Sequence, residues 1–130
     1  MDAKEYLESL RLLDARTEQR LKQLDDIENR RSYIKTLNEQ YAVSQVNGDM
    51  LSDLAAKVSD EILHFEKQRS EIIGRIQSLN DHKFIQVLYK RYVEYKSFEQ
   101  IAAELGYARS HTLALHRNAL EALQAVIPSG

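Results

Sequence analysis

The strongest constraint on how this chain can fold is how little it contains to interrupt a helix. Its single proline is Pro128, and ahead of it glycine occurs only at Gly48, Gly74 and Gly106. Proline removes a backbone donor and fixes φ, and glycine gives up the most backbone entropy on ordering, so their scarcity leaves long stretches free to coil. Those stretches are rich in Leu, Glu, Gln, Lys, Arg and Ala, the residues that lose least on entering a helix. Apolar residues make up 43% of the 130-residue chain and charged residues 29%, enough apolar surface for a core. The expectation is an all-α protein of one domain, or a small domain with an extension.

From Ala3 to about Val46, apolar residues fall at Leu7, Leu10, Leu13, Leu21, Leu24, Ile27, Ile34, Leu37 and Tyr41. Steps of three and four put them on one stripe of a helix. Thr17 and Arg31 interrupt that stripe, and Leu12 and Tyr33 widen it. Such a helix would be on the order of 60 Å long. Asn47-Gly48-Asp49 then reads as the tip of a hairpin, with Gly48 able to take a positive φ and Asp49 able to cap the next helix. From Met50 to Leu79 a second stripe runs through Leu51, Leu54 or Ala55, Val58, Ile62, Phe65, Ile72, Ile76 and Leu79, with Arg69 its polar member. Its heptad-like rhythm predicts an antiparallel, coiled-coil-like pairing with the first helix. Gly74 either admits a close neighbour or is simply tolerated. Asn80, in the left-handed conformation, and Asp81, as an N-cap, mark the next boundary. A third helix is predicted to reach about Tyr95, and the tail from Ile127 to Gly130 to fray. The division is therefore residues 1–79 as a helical hairpin for oligomerisation or partner binding, and residues 80–127 as a second domain.

Several classes of function are disfavoured. Without cysteine there is no disulfide, cysteine nucleophile or cysteine-ligated zinc. The four histidines are expected to face solvent or DNA, and His111 and His116 are five residues apart, which on a helix does not place both on one metal. Asp25-Asp26-Glu28 and Asp60-Glu61 read as solvated helix faces. With no glycine-rich phosphate loop and no nucleophile–base arrangement, the chain reads as a non-enzyme without cofactor or metal. No apolar run approaches a membrane span and the first residues do not resemble a signal peptide, so a cytoplasmic location and no membrane partner are expected. Residues 1–80 hold 12 Lys/Arg against 15 Asp/Glu, and residues 81–130 hold 6 against 5. The tilt is small, but in the direction that nucleic acid requires.

The informative stretch is Ser97 to Arg117. Ser97 and Gln100 form a capping box that starts a short helix, with Phe98, Ile101, Ala102 and Leu105 on its inner side. A small residue at Ala102 lets two helices cross closely, and Gly106, four residues on, supplies the tight turn. Inward positions come six and nine residues after the glycine, at Thr112 and Leu115, then at Ala119 and Leu120. This is the spacing of a helix-turn-helix. Its second helix would face outward at Ala108, Arg109, Ser110, His111, Leu113, Ala114 and Arg117. Arg109, Ser110, His111, Leu113 and Ala114 are the candidate base contacts, Arg109 as a paired donor to guanine and Leu113 and Ala114 through apolar contact. Arg91, Lys96, Ser97 and Arg117 are candidates for the DNA backbone. Tyr89, Tyr92, Tyr95 and Tyr107 are expected to pack the motif.

The stretch from Phe84 to Leu120, with Leu88-Tyr89-Lys90-Arg91-Tyr92, Phe98-Glu99-Gln100-Ile101-Ala102, Leu105-Gly106-Tyr107 and Leu115-His116-Arg117-Asn118-Ala119-Leu120, resembles region 4 of sigma-70-type factors. Ala3-Lys4-Glu5-Tyr6-Leu7 and the long helices resemble small sigma-like regulators of phages and prophages, grouped with the ArpU- and RinA-type late transcription regulators. The resemblance implies reading of a promoter element by the second helix of the motif. Leu113 and Ala114 stand where sigma factors usually carry charged or amide side chains, Ala108 where a hydroxyl caps, and Thr112 where Val or Ile is common. These departures imply weaker or different sequence specificity.

Three functions are compatible with this reading. One is a transcriptional regulator that binds double-stranded DNA and uses its long helices to form a homodimer or to reach RNA polymerase. Another is a helical adaptor that binds RNA polymerase or another protein. The third is the DNA-recognition subunit of a phage packaging machine, in which the motif usually comes first rather than last.

Overall fold

A computed structural model describes residues 1–41 and 48–128. The described residues are helical with no strand: α1 (Ala3–Tyr41), α2 (Gly48–Gln77), α3 (His82–Leu88) continuing into a π-helical turn (Tyr89–Val93), α4 (Phe98–Leu105) and α5 (Arg109–Gln124). The chain is thus all-α, with two long helices followed by a helix-turn-helix region. Of the expected tip, Asn47 lies outside the described residues, as does Val46, while Gly48 is the first residue of α2.

Contacts group the chain into two compact units, Met1–Leu13 with Gln68–Gly130, and Asp14–Lys67. The cuts fall inside α1 and α2 rather than between residues 79 and 80. The first turns of α1 and the last of α2 therefore share a core with the C-terminal helices instead of belonging to a separate hairpin domain.

In the unit of residues 14–67, Ile27, Ala55 and Val58 are buried, with Leu24, Leu51, Leu54 and Ile62 packed against them. The Arg20 Nε–H donates to Glu61. Position 20 meets 61 while position 27 meets 55 and 58, so the two helices run antiparallel here. Leu21, expected on the inner stripe, is 52% exposed. The inward positions of α1 step 3-4-3-4 through 10, 13, 17, 20, 24 and 27. Arg20 therefore takes the seam and Leu21 falls one residue outside it.

The other unit has the denser core. Leu7, Leu10, Ile76, Val87, Leu88, Ile101, Thr112 and Leu123 are all below 2% exposure. Polar contacts tie its sequence-distant parts together: the Ala3 N–H donates to Gln124 Oε1 at 2.7 Å, and Arg75 donates to the Val126 carbonyl at 2.8 Å. The Ile127 N–H bonds to the Leu123 carbonyl, so Ile127, expected to fray, is held, while Ser129 and Gly130 lie outside the described residues. Asp81 caps α3 by accepting from the Lys83 N–H. Asn80 does not adopt the left-handed conformation. Among the described non-glycine residues Tyr95 alone does, at φ 59°.

Candidate nucleic-acid interface

The sequence builds the helix-turn-helix through three local devices. Ser97 Oγ accepts from the Gln100 N–H and Gln100 Oε1 accepts from the Ser97 N–H, so both halves of the capping box are formed. Gly106 ends α4 at φ 72°, a conformation that a side chain would strain. The Ala102 carbonyl accepts from the N–H groups of both Gly106 and Tyr107 across the turn. α5 then lies against α3 and α4 through Thr112, Leu115, Ala119 and Leu123, all buried, with Leu120 half-buried beside them. Thr112 would be a costly hydroxyl in such a core, but its Oγ1 donates to the Ala108 carbonyl at 3.1 Å.

This packing leaves Ala108, Arg109, Ser110 and His111 exposed at the N-terminal end of α5, with Arg117 exposed further along. The first turn of α5 holds no acid, and Ala108 gives it no side-chain cap. His111 packs edge-on against Tyr107, ring centroids 4.6 Å apart. Leu113 and Ala114, expected to face outward, are half-buried because they flank the inward stripe.

The candidate cations differ in what they offer. Arg91 is turned into the protein: it donates to the Lys96 carbonyl at 3.0 Å, and its guanidinium lies 4.3 Å from the centre of the Phe98 ring. It braces the connection that enters α4. Lys96 pairs with Glu104 at 2.6 Å and Glu94 at 3.7 Å, and Lys90 reaches the same Glu104 at 3.5 Å. Lysine donation to Glu104 holds its carboxyl below the usual range and raises the Lys96 ammonium above its own. Arg109 donates to Glu99 at 2.9 Å, and that bond lowers the Glu99 carboxyl likewise. Arg117 makes no ion pair among the described residues. Ser97 is occupied as the N-cap.

Sequence reasoning misses the carboxylate partners, because Glu99 and Arg109 are ten residues apart on different helices and meet only once Gly106 has turned the chain. It also misplaces His116, which is half-buried rather than facing solvent or DNA. Its Nε2 is 2.7 Å from the Tyr92 hydroxyl, its ring stacks on Tyr92, and the Phe98 edge meets it with centroids 4.9 Å apart. Burial, with Arg91 and Lys4 nearby, pushes the imidazole down to about 4, so it is neutral at pH 7. Of the tyrosines expected to pack the motif, Tyr92 is buried and Tyr89 and Tyr107 are half-buried, whereas Tyr95 is exposed and carries the Arg11 guanidinium of α1 4.8 Å from its ring centre.

This geometry agrees with the comparison with known proteins. Residues 77–125 match the family model for Sigma-70, region 4. The segment is a sigma-70 region 4-like helix-turn-helix. The match spans α3, the π-helical turn, α4 and α5, and leaves the greater part of the chain outside it. No curated protein and no solved structure matches. Among the described residues, no helix is long and apolar enough to cross a membrane.

Proposed function

We propose that this chain is a DNA-binding transcriptional regulator of the phage or prophage type, reading promoter DNA with α5. The observation that carries the reading is the presentation of Arg109, Ser110 and His111 at the exposed start of the second helix of a sigma region 4-like motif, whose first turn holds no acid of its own. In such a motif the N-terminal turns of the second helix enter the major groove. Ser110 and His111 offer hydrogen-bonding groups beside Arg109, and Arg117 offers charge to the phosphate backbone from the far end. The long helices serve assembly. Leu12, Leu21, Tyr33 and Leu63 each remain more than half exposed, apolar area that a second copy would cover. RNA polymerase is the protein partner in this reading, and the cytoplasm of a bacterial host its setting.

A mobility-shift assay with a salt series tests it. Arg109→Ala should lower affinity for a specific site much more than for random DNA, whereas Arg30→Ala on α1 should change neither. No shift at low salt would sink the DNA-reading function. Light scattering that gives a monomer mass at tens of micromolar would sink the homodimer.

One observation favours a second reading. Lys90 and Lys96 spend their charge on Glu94 and Glu104, which leaves this side of the motif little net attraction for phosphate. A helical adaptor that docks on RNA polymerase needs no such attraction, and DNA binding that is absent even at low salt would select it.

A further inference from the structure

Glu99 lies in the first turn of α4, and Arg109 is the first residue of α5. Their hydrogen bond uses one particular nitrogen of the guanidinium: Arg109 Nε–H donates to Glu99 Oε1 at 2.9 Å. The two terminal nitrogens make no hydrogen bond among the described residues. A guanidinium is a rigid planar fork, so fixing it through Nε fixes where the terminal pair points. Guanine presents O6 and N7 side by side in the major groove, and the terminal pair of an arginine matches them with two parallel bonds. The same two side chains are 63% and 66% exposed, so their ion pair adds little to the fold. Its use lies elsewhere. An unrestrained arginine gives up rotamer freedom when it docks, and a partner that holds it beforehand reduces that loss.

From this geometry we propose that Glu99 is a positioning residue, which holds Arg109 by Nε so that its terminal nitrogens read one guanine. The inference rests on α5 being the DNA reader. It separates from a purely electrostatic role by sign. A carboxylate close to DNA repels phosphate, so if repulsion were all it did, removing it would strengthen binding to every sequence alike. If it positions Arg109, removing it leaves random DNA bound as well or better, while preference for guanine falls.

The test is selection from a random duplex library with the full chain, its E99A variant and its R109A variant. Affinities are then measured for the selected site, for that site with the key guanine replaced by adenine or 7-deazaguanine, and for random DNA. The wild type should select a guanine that R109A does not. E99A, which leaves no acceptor for the Nε–H, should bind random DNA at least as tightly as the wild type while its preference for guanine over adenine drops about tenfold, within the range one paired base contact commands. Replacement by 7-deazaguanine, which lacks the N7 acceptor, should weaken the wild type and leave R109A unchanged. A thermal melt like that of the wild type shows that E99A is folded. If E99A keeps the full guanine preference, or if R109A selects the same guanine, the positioning role is wrong and the DNA-reading function stands. If no sequence is enriched by the wild type, both fall.

Discussion

The unit that carries the helix-turn-helix and the unit of residues 14–67 both draw on α1 and α2, yet they bury very different cores. In the first, three-dimensional packing around α5 closes over whole side chains, and Leu7, Leu10, Ile76, Leu88, Ile101 and Leu123 are out of solvent. In the second, the described residues form two helical layers, each able to cover only one stripe of its neighbour. Ile27, Ala55 and Val58 are its buried hydrophobics, and Leu21, Tyr33, Met50 and Leu63 face outward. The contrast shows where rigidity is needed. The helix proposed to read DNA would have to be held to within a fraction of an ångström, whereas a pair of long helices only has to stay paired.

The same substitution made in each unit would break or sharpen this contrast. Ile101 and Ile27 are 0% and 3% exposed, but Ile27 is ringed by half-buried neighbours that can relax into a gap. Ile101→Ala should cost about 4 kcal/mol and Ile27→Ala about 2 kcal/mol, measured by urea unfolding. Equal costs would mean that the two cores are alike.

Acid should weaken the helix-turn-helix unit through His116. The imidazole is held down to about 4 in the folded chain by burial and by Arg91 and Lys4, against 6.5 when unfolded. The unfolded chain therefore takes up this proton first, and the stabilisation present above pH 6.5 is lost as pH falls towards 4. We expect a loss of about 2 kcal/mol over that window, less than the full shift because the ring is partly solvated. His116→Phe keeps the ring contacts without a titrating proton. Its unfolding free energy should fall less steeply between pH 6.5 and 4, and identical slopes would remove His116 from the account.

Two smaller effects complete the series. Ser97→Ala removes half of the capping box at the entry to α4 and should cost about 1 kcal/mol. In the other unit, Arg20→Ala breaks the seam pair with Glu61, whose side chains are both 33% exposed. It should cost less than about 1 kcal/mol, because solvent already screens the pair. A larger loss for Arg20→Ala than for Ile27→Ala would show that the polar seam, rather than the apolar one, holds the long helices together.

Legibility in the sequence tracks the range of the interaction. The capping box at Ser97 and Gln100, the turn at Gly106, the Asp81 cap and the buried Thr112, Leu115 and Ala119 are all set by neighbours within a few residues, and each is predictable from spacing. The α2 stripe is predictable for the same reason. Leu21 is misassigned because a seam spaced 3-4-3-4 distinguishes adjacent positions, and an apolar residue next to an arginine draws the eye the wrong way. The pairing of Arg109 with Glu99, of Lys96 with Glu104 and of His116 with Tyr92 depends on chain segments brought together by the fold. No local periodicity encodes them. The π-helical turn at Tyr89–Val93 and the positive φ of Tyr95 also carry no marker in composition, since neither glycine nor asparagine occurs there.

The hydrogen bond from Ala3 to Gln124 spans 121 positions of the chain. A ribosome making this protein releases Ala3 long before Gln124 exists. The first turn of α1 must wait, helical or not, through the synthesis of everything between them. Contacts of such long range slow folding, because the ends must meet before any of them is rewarded. α5 is also the last of the described helices to leave the ribosome, and a nascent chain halted before it lacks the second helix of the helix-turn-helix.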